Sequence, residues 1–238
     1  MKYPLFKIGN VFYRYTPALY RAAYTLYKAH SDRAERQLIR SYLHPGMTVL
    51  DLGANIGTSA SFLADLVGPT GKVYAFEPAP SNFAMLSNAL SSRSNIELIR
   101  AAVGEHTGTL TLHLSDDLNV DHHAYDAGEG RTRCQVAVYR LDDFIAEGTR
   151  VDFIKSDIQG FELHALRGAK RVLTENRNIR LLLEFWPFGL RRAGTSPDAL
   201  LGFLGDLGFR CRVVAAGIDK QPFEVGDEEY VNLFAARD

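Results

Sequence analysis

Cysteine is scarce in this chain. Only Cys134 and Cys211 occur, far apart and without C-x-x-C spacing, so neither a zinc ribbon nor a disulfide framework is legible, and two reduced thiols are expected. No apolar run approaches the ~20 residues that a membrane-spanning helix needs. Lys7, Asn10 and Arg14 interrupt what would otherwise be a secretory h-region, so a cytoplasmic protein without a membrane partner is expected. An excess of one charge is missing too. With 27 Lys plus Arg against 28 Asp plus Glu the formal charge is −1, which gives no electrostatic reason to bind nucleic acid or an anionic surface and points to a small or neutral substrate. Internal repeats and low-complexity segments are also absent.

What is present is ample apolar material. At 238 residues and 46% hydrophobic content, the chain suffices for one large domain or a domain with an appendage, and needs no disulfide or structural metal to fold. Six of the eleven tyrosines fall in the first thirty residues: Tyr3, Tyr13, Tyr15, Tyr20, Tyr24 and Tyr27. From Pro17 to about Arg40, Leu19, Tyr20, Ala23, Tyr24, Tyr27, Leu38 and Ile39 recur at helical spacing, with Ser31 and Asp32 as N-cap signals between two helices. Residues 1–45 are therefore read as an aromatic-rich helical appendage that covers an edge of the core or serves as a lid or homodimer surface. Residues 46–238 form the main domain.

From Met47 the pattern alternates. A strand at Thr48 to Leu52, a helix to about Val67, a strand at Val73 to Phe76, a helix from Pro80 to Leu90 and a strand at Ile96 to Arg100 imply a parallel sheet with helices on both faces. Thr109 to Leu114 and Gln135 to Tyr139 alternate with period two and predict antiparallel strands flanking a polar loop from Ser115 to Arg133. Alternation resumes with Asp152 to Lys155, a helix from Glu162 to Leu173, an apolar strand Leu181 to Phe185, a helix between Ser196 and Gly208, and strands at Arg210 to Ala215 and Tyr230 to Ala235 that predict an edge hairpin. The fold class is α/β: a Rossmann-like, doubly wound, mainly parallel seven-stranded sheet with an N-terminal helical appendage and a β-hairpin insertion.

The most specific segment is Val49-Leu50-Asp51-Leu52-Gly53-Ala54-Asn55-Ile56-Gly57, a strand, an acid and a Gly-x-x-x-Gly turn opening a helix. Gly53 and Gly57 let the backbone pass close under a ligand. Glu77 ends the next strand, where a carboxylate accepts hydrogen bonds from ribose hydroxyls. A dinucleotide turn usually reads Gly-x-Gly-x-x-Gly, but here Asn55 replaces the middle glycine. The charge of Asp51 would repel a pyrophosphate yet help hold the amino group of S-adenosylmethionine. That cofactor is favoured; an NAD-dependent oxidoreductase and a non-catalytic binding module are the competing readings.

With Phe76-Glu77-Pro78-Ala79-Pro80, Ala102-Val103-Gly104, Ile154-Lys155-Ser156-Asp157-Ile158-Gln159-Gly160-Phe161-Glu162, Leu166-Arg167-Gly168-Ala169 and Glu184-Phe185-Trp186-Pro187 added in order, the chain resembles the FkbM-type methyltransferases, of the S-adenosylmethionine-dependent class I fold. Ser156 stands where that family usually has an aliphatic residue and Gln159 where it often has Glu. The resemblance implies O-methylation of a hydroxyl on a sugar or secondary metabolite, with Asp51, Gly53, Asn55, Gly57, Glu77 and Ala102 around the cofactor.

Alignment and, where needed, proton removal are what methyl transfer to oxygen requires. Asp157, after the fourth parallel strand, is the first candidate for handling the proton or orienting the acceptor; an acid that merely caps the following turn is the alternative. The segment Asn119 to Asp126 adds His122 and His123, of which only one is expected to face the site, and Tyr125. Glu184 and Trp186 are expected to line the acceptor pocket. No metal is assigned, because the spacing of His and Asp matches no metal-binding pattern.

Overall fold

The computed structural model describes residues 16–115, 122–126, 131–214 and 220–238. Helices α1 (Pro17–Ser31) and α2 (Arg33–Tyr42) precede β1 (Thr48–Leu52), α3 (Thr58–Val67), β2 (Lys72–Phe76), α4 (Pro80–Leu90) and β3 (Ile96–Ile99). Then come β4 (Ala102–Val103), β5 (Gly108–Leu114), β6 (Thr132–Tyr139), the short α5 (Leu141–Phe144), β7 (Phe153–Ser156), α6 (Glu162–Arg167) and α7 (Lys170–Glu175). The chain continues through β8 (Arg180–Phe185), α8 (Pro187–Arg192), α9 (Pro197–Asp206), β9 (Arg210–Val214) and β10 (Val231–Ala236).

The main sheet has seven strands in the order β3-β2-β1-β7-β8-β10-β9. The first five in that order are parallel, and β10 runs antiparallel between β8 and β9. Period-two alternation sorts their side chains into two cores. Leu50, Leu52, Ile154, Leu181, Leu183 and Leu233 pack with Leu163, Leu166, Leu200 and Leu204 on one face. Val49, Phe153, Leu182 and Phe234 pack with Ile39, Leu63 and Leu86 on the other. Each fully buried aliphatic or aromatic side chain contributes about 1.5 to 3 kcal/mol. Chain order reverses between β1 and β7, so their carboxyl ends form the crevice where an open α/β sheet binds ligands.

The insertion is a second sheet. β5 and β6 pair antiparallel as expected, and β4 joins β6 in parallel, a partner the sequence did not reveal.

Three local expectations are corrected. The helix read from Glu162 to Leu173 is two helices, because the chain turns at Gly168, where a Cβ would lie 2.0 Å from the carbonyl oxygen of Gly104. Asp32 stands at the break between α1 and α2 without capping α2; its carboxylate accepts from Ser31 Oγ and pairs with Lys28. The last strand of the edge pair runs to Ala236, and Ala215 lies outside the described residues.

Candidate active site

A cavity of about 830 Å³ opens over the carboxyl ends of β1, β2 and β7, within the usual size of a small-molecule site. Its wall includes Gly53, Asn55, Glu77, Ala102, His122, Asp157 and Glu184. Tyr24, Tyr27, Lys28 and Asp32 from α1 and its end, and Glu35 and Arg36 from α2, also line it. The helical appendage is therefore one side of the cleft.

At one end the chain forms a left-handed cradle. Gly53, Asn55 and Gly57 have φ of +83°, +50° and +88°. Asn55 Oδ1 is buried without a hydrogen-bond partner among the described residues, so it lacks what a buried acceptor normally has. Glu77 is buried and accepts from the backbone N–H of Asn55 and of Ala79, both at 2.8 Å, which knits the turn after β1 to the one after β2. Burial raises its carboxyl to about 7 despite those donors and the Asn82 side chain.

Packing also requires glycine at two of these positions. A Cβ on Gly53 would meet the Asp157 carbonyl oxygen at 2.1 Å, and one on Gly57 would meet Leu86 and Leu90. Gly57 thus belongs to the packing of α3 on α4, and it does not border the cavity.

Asp51 also departs from expectation. It is fully buried beneath the cavity floor and is not part of the wall; neither oxygen has a hydrogen-bond partner among the described residues. Burial raises its carboxyl to about 6, opposed by Lys155. Lys155 is its register neighbour on β7 and shares its face of the sheet. A lysine in a buried strand needs acidic partners. Burial alone would discharge it, but Asp157, Glu35 and Asp51 raise its pKa and keep it cationic.

The other end is acidic. Continuing the Ser156 to Leu183 register by one residue sets Asp157 beside Glu184. Lys155 Nζ lies 3.6 Å from Asp157 Oδ2. Gln159 Nε2 donates to both oxygens of Glu184, at 3.1 and 3.0 Å, and more weakly to Asp157 Oδ1 at 3.4 Å. Burial would raise Asp157, but Lys155, Lys28 and the Gln159 amide outweigh it and hold the carboxyl below its ordinary value. Burial and then the charge of Asp157 push Glu184 well above its own. Two neighbouring acids with pKa values driven apart are the pattern of a base beside a protonated partner.

His122 lines the cavity, and its Nδ1 accepts from the Ser115 N–H at 3.1 Å, so a neutral ring carries its proton on Nε2. His123 turns away, bonding His113 through the backbone and stacking on Tyr125 at 4.7 Å. Tyr125 and Trp186 are not in the wall. Trp186 instead backs Tyr230, which is in the wall, with ring centroids 4.5 Å apart. Asn119, Val120 and Asp121 lie outside the described residues. Lys155, Glu35, Tyr24 and Tyr230 were missed as site residues; a charged residue inside the apolar run before Asp157 was the available signal for Lys155.

The described residues contain no group of three or more His, Cys, Asp or Glu arranged to hold a metal ion, and no helix long and apolar enough to cross a membrane. The cradle, the Asn55 oxygen without a hydrogen-bond partner among the described residues and the buried Asp51 carboxyl beneath them fit a nucleoside that carries positive charge.

Known proteins agree. The 2-O-methyltransferase NoeI of Sinorhizobium fredii is 26% identical over 168 residues, covering 63% of this chain and 68% of that protein. An rRNA 2'-O-methyltransferase fibrillarin of Neurospora crassa is 49% identical over 55 residues, only 23% of this chain and 17% of that one. Among solved structures, an rRNA methylase from Streptococcus thermophilus superposes with a TM-score of 0.50 at 16% identity, covering 85% of this chain and 93% of that one. SMU.1697c of Streptococcus mutans, solved with S-adenosylhomocysteine, gives 0.51 at 13%, covering 85% and 95%. With RNA methylases among the similar proteins, near-zero net charge does not exclude a nucleic-acid acceptor. Residues 51–211 match the model of the methyltransferase FkbM domain, and the chain belongs to that family of S-adenosylmethionine-dependent methyltransferases.

Proposed function

We propose that the protein methylates a hydroxyl oxygen of a small, uncharged acceptor. The observation that carries this reading is the acid pair at the far end of the cavity: an ionised Asp157 beside Lys155, and a Glu184 whose proton affinity is raised. An alcohol needs such a base, because its own pKa is high. The cavity wall holds five acids (Asp32, Glu35, Glu77, Asp157, Glu184) against three bases (Lys28, Arg36, Lys155), which disfavours a polyanion reaching its floor. NoeI, an oxygen methyltransferase by name, supports the same choice of nucleophile.

When bound, S-adenosylmethionine supplies a sulfonium methyl open to in-line displacement. Gly53, Asn55, Glu77 and Ala102 hold its nucleoside end, with the Asn55 oxygen and Glu77 taking hydrogen bonds from it. Asp51, just below, complements its positive charge through the floor. Asp157 takes the acceptor's proton, and Lys155 keeps Asp157 ionised until then. His122 lines the acceptor side, Glu184 orients a second hydroxyl, and Tyr230, braced by Trp186, closes that side with Tyr24 and Tyr27 of the appendage. His123 and Tyr125 support that wall from behind.

The test has two stages. Calorimetry with S-adenosylhomocysteine is expected to show micromolar-scale binding. Methyl-labelled S-adenosylmethionine is then incubated with hydroxyl compounds, amines and a short RNA, and label is expected on oxygen of a small acceptor. Absence of binding overturns the reading; label only on nitrogen or on RNA overturns the acceptor class. Binding without transfer to any acceptor favours a module that binds without turnover.

A further inference from the structure

Gln159 occupies the gap between the two acids, and its backbone is not free to move. Its φ is +56°, a left-handed conformation uncommon outside glycine. Gly160 follows at φ +93°, and a Cβ there would lie 2.3 Å from the Gly189 carbonyl carbon, so α8 packs directly against this turn. The amide therefore approaches Glu184 and Asp157 from a fixed base. It is the right group for the place: an amide nitrogen donates two hydrogens and brings no charge, whereas a carboxylate here would add a further acid to the pair.

Charged and titratable groups face this pair from every side. Lys155 adjoins it on β7 and Asp51 lies on β1. Lys28 and Tyr24 come from α1, Glu35 from α2, and Glu162 from α6. We propose that Gln159 is a positioning residue that ties Asp157 and Glu184 into one two-carboxylate unit and so keeps Asp157 aligned and ready to accept a proton. This rests on the reading that Asp157 receives the acceptor's proton.

The test needs no acceptor. Protein labelled with 13C at the Asp and Glu side-chain carboxyls, bound to S-adenosylhomocysteine, is titrated by NMR, and Asp157 and Glu184 are assigned from Asp157→Asn and Glu184→Gln. Removing the donor in Gln159→Leu should raise the Asp157 midpoint by about half a unit or more, since a hydrogen bond to the charged form is lost. Gln159→Glu, with a further carboxylate, should raise it by about one unit or more and broaden the transition, as coupled sites do. Gln159→Glu combined with Glu184→Gln exchanges amide and carboxyl across the same contact, and should return the Asp157 midpoint to within about 0.3 unit of the starting protein. Thermal stabilisation by S-adenosylhomocysteine in each variant reports that it is folded. An Asp157 midpoint that stays put in both single variants, or stays displaced in the exchange, overturns the proposal. Failure of the unaltered protein to bind S-adenosylhomocysteine would instead remove the methyl-transfer reading and leave the carboxylate coupling to be judged on its own titration.

Discussion

The carbonyl oxygen of Asp157 lies where a Cβ on Gly53 would have to go, 2.1 Å away. The turn after β1 and the turn after β7 are thus packed backbone to backbone. Gly53→Ala is therefore expected to cost stability as well as ligand. Positive φ contributes about 1 kcal/mol and the overlap more, for a total of about 2 to 4 kcal/mol. Urea unfolding checks this, with loss of S-adenosylhomocysteine binding alongside. A variant of unchanged midpoint that still fails to bind would assign the glycine to the ligand alone.

Glu77 holds two backbone amides from two different turns. In Glu77→Ala both lose their partner, and any ribose contact disappears with them. Affinity for S-adenosylhomocysteine should fall by about 1.5 to 3 kcal/mol. Isothermal calorimetry measures it, and unchanged affinity would move the nucleoside elsewhere.

Buried acids give the ligand-free protein a pH dependence of definite sign. Asp51, Glu77 and Glu162 titrate near 6, 7 and 8 when folded, raised by burial from 3.8, 4.5 and 4.5. Between those limits the folded state binds more protons than the unfolded one, so stability is full below about pH 4 as far as these groups are concerned, and is lost as pH rises through about 6 to 8. Melting temperature should therefore drop from pH 5.5 to pH 8. Asp51→Asn should flatten the lower part of that slope and stabilise the ligand-free protein at pH 8 while weakening binding. A melting temperature that climbs over the same range contradicts the assignment.

With an acceptor from the labelled-methyl panel, Asp157→Asn should lower kcat at least about 100-fold and leave S-adenosylhomocysteine affinity nearly unchanged. His122→Ala should act mainly on the acceptor KM, because its Nδ1 is already engaged by Ser115. Steady-state kinetics on both variants decide between them; the reverse pattern would exchange their roles.

Local pattern made much of the fold legible. Val49 and Leu50 point to opposite cores as any strand alternation requires, and Pro80 to Leu90 is a helix with the bounds its sequence suggested. The break at Gly168 was hidden because its cause is Gly104, sixty-four residues earlier. The same holds in the site. Asp51, Asn55 and Glu77 announced themselves through spacing, but which of them borders the cavity depends on pleat and on the neighbouring strand. Glu35 gave no signal at all: it is one acid on an amphipathic helix, and only the docking of α2 brings its carboxylate to the Asn232 side chain, 3.2 Å away on β10.

That last contact sets an order of events during synthesis. β10 leaves the ribosome after every other described element, yet it is the strand that separates β8 from β9 and presents Asn232 to Glu35. Until it arrives, β8 is an open edge bearing Leu181 and Leu183, the kind of surface on which chains stick to one another. From the completion of β8 at Phe185 until Val231 is made, the nascent protein therefore carries an unsealed sheet. Stalling or truncation before Val231 would release a chain prone to aggregate.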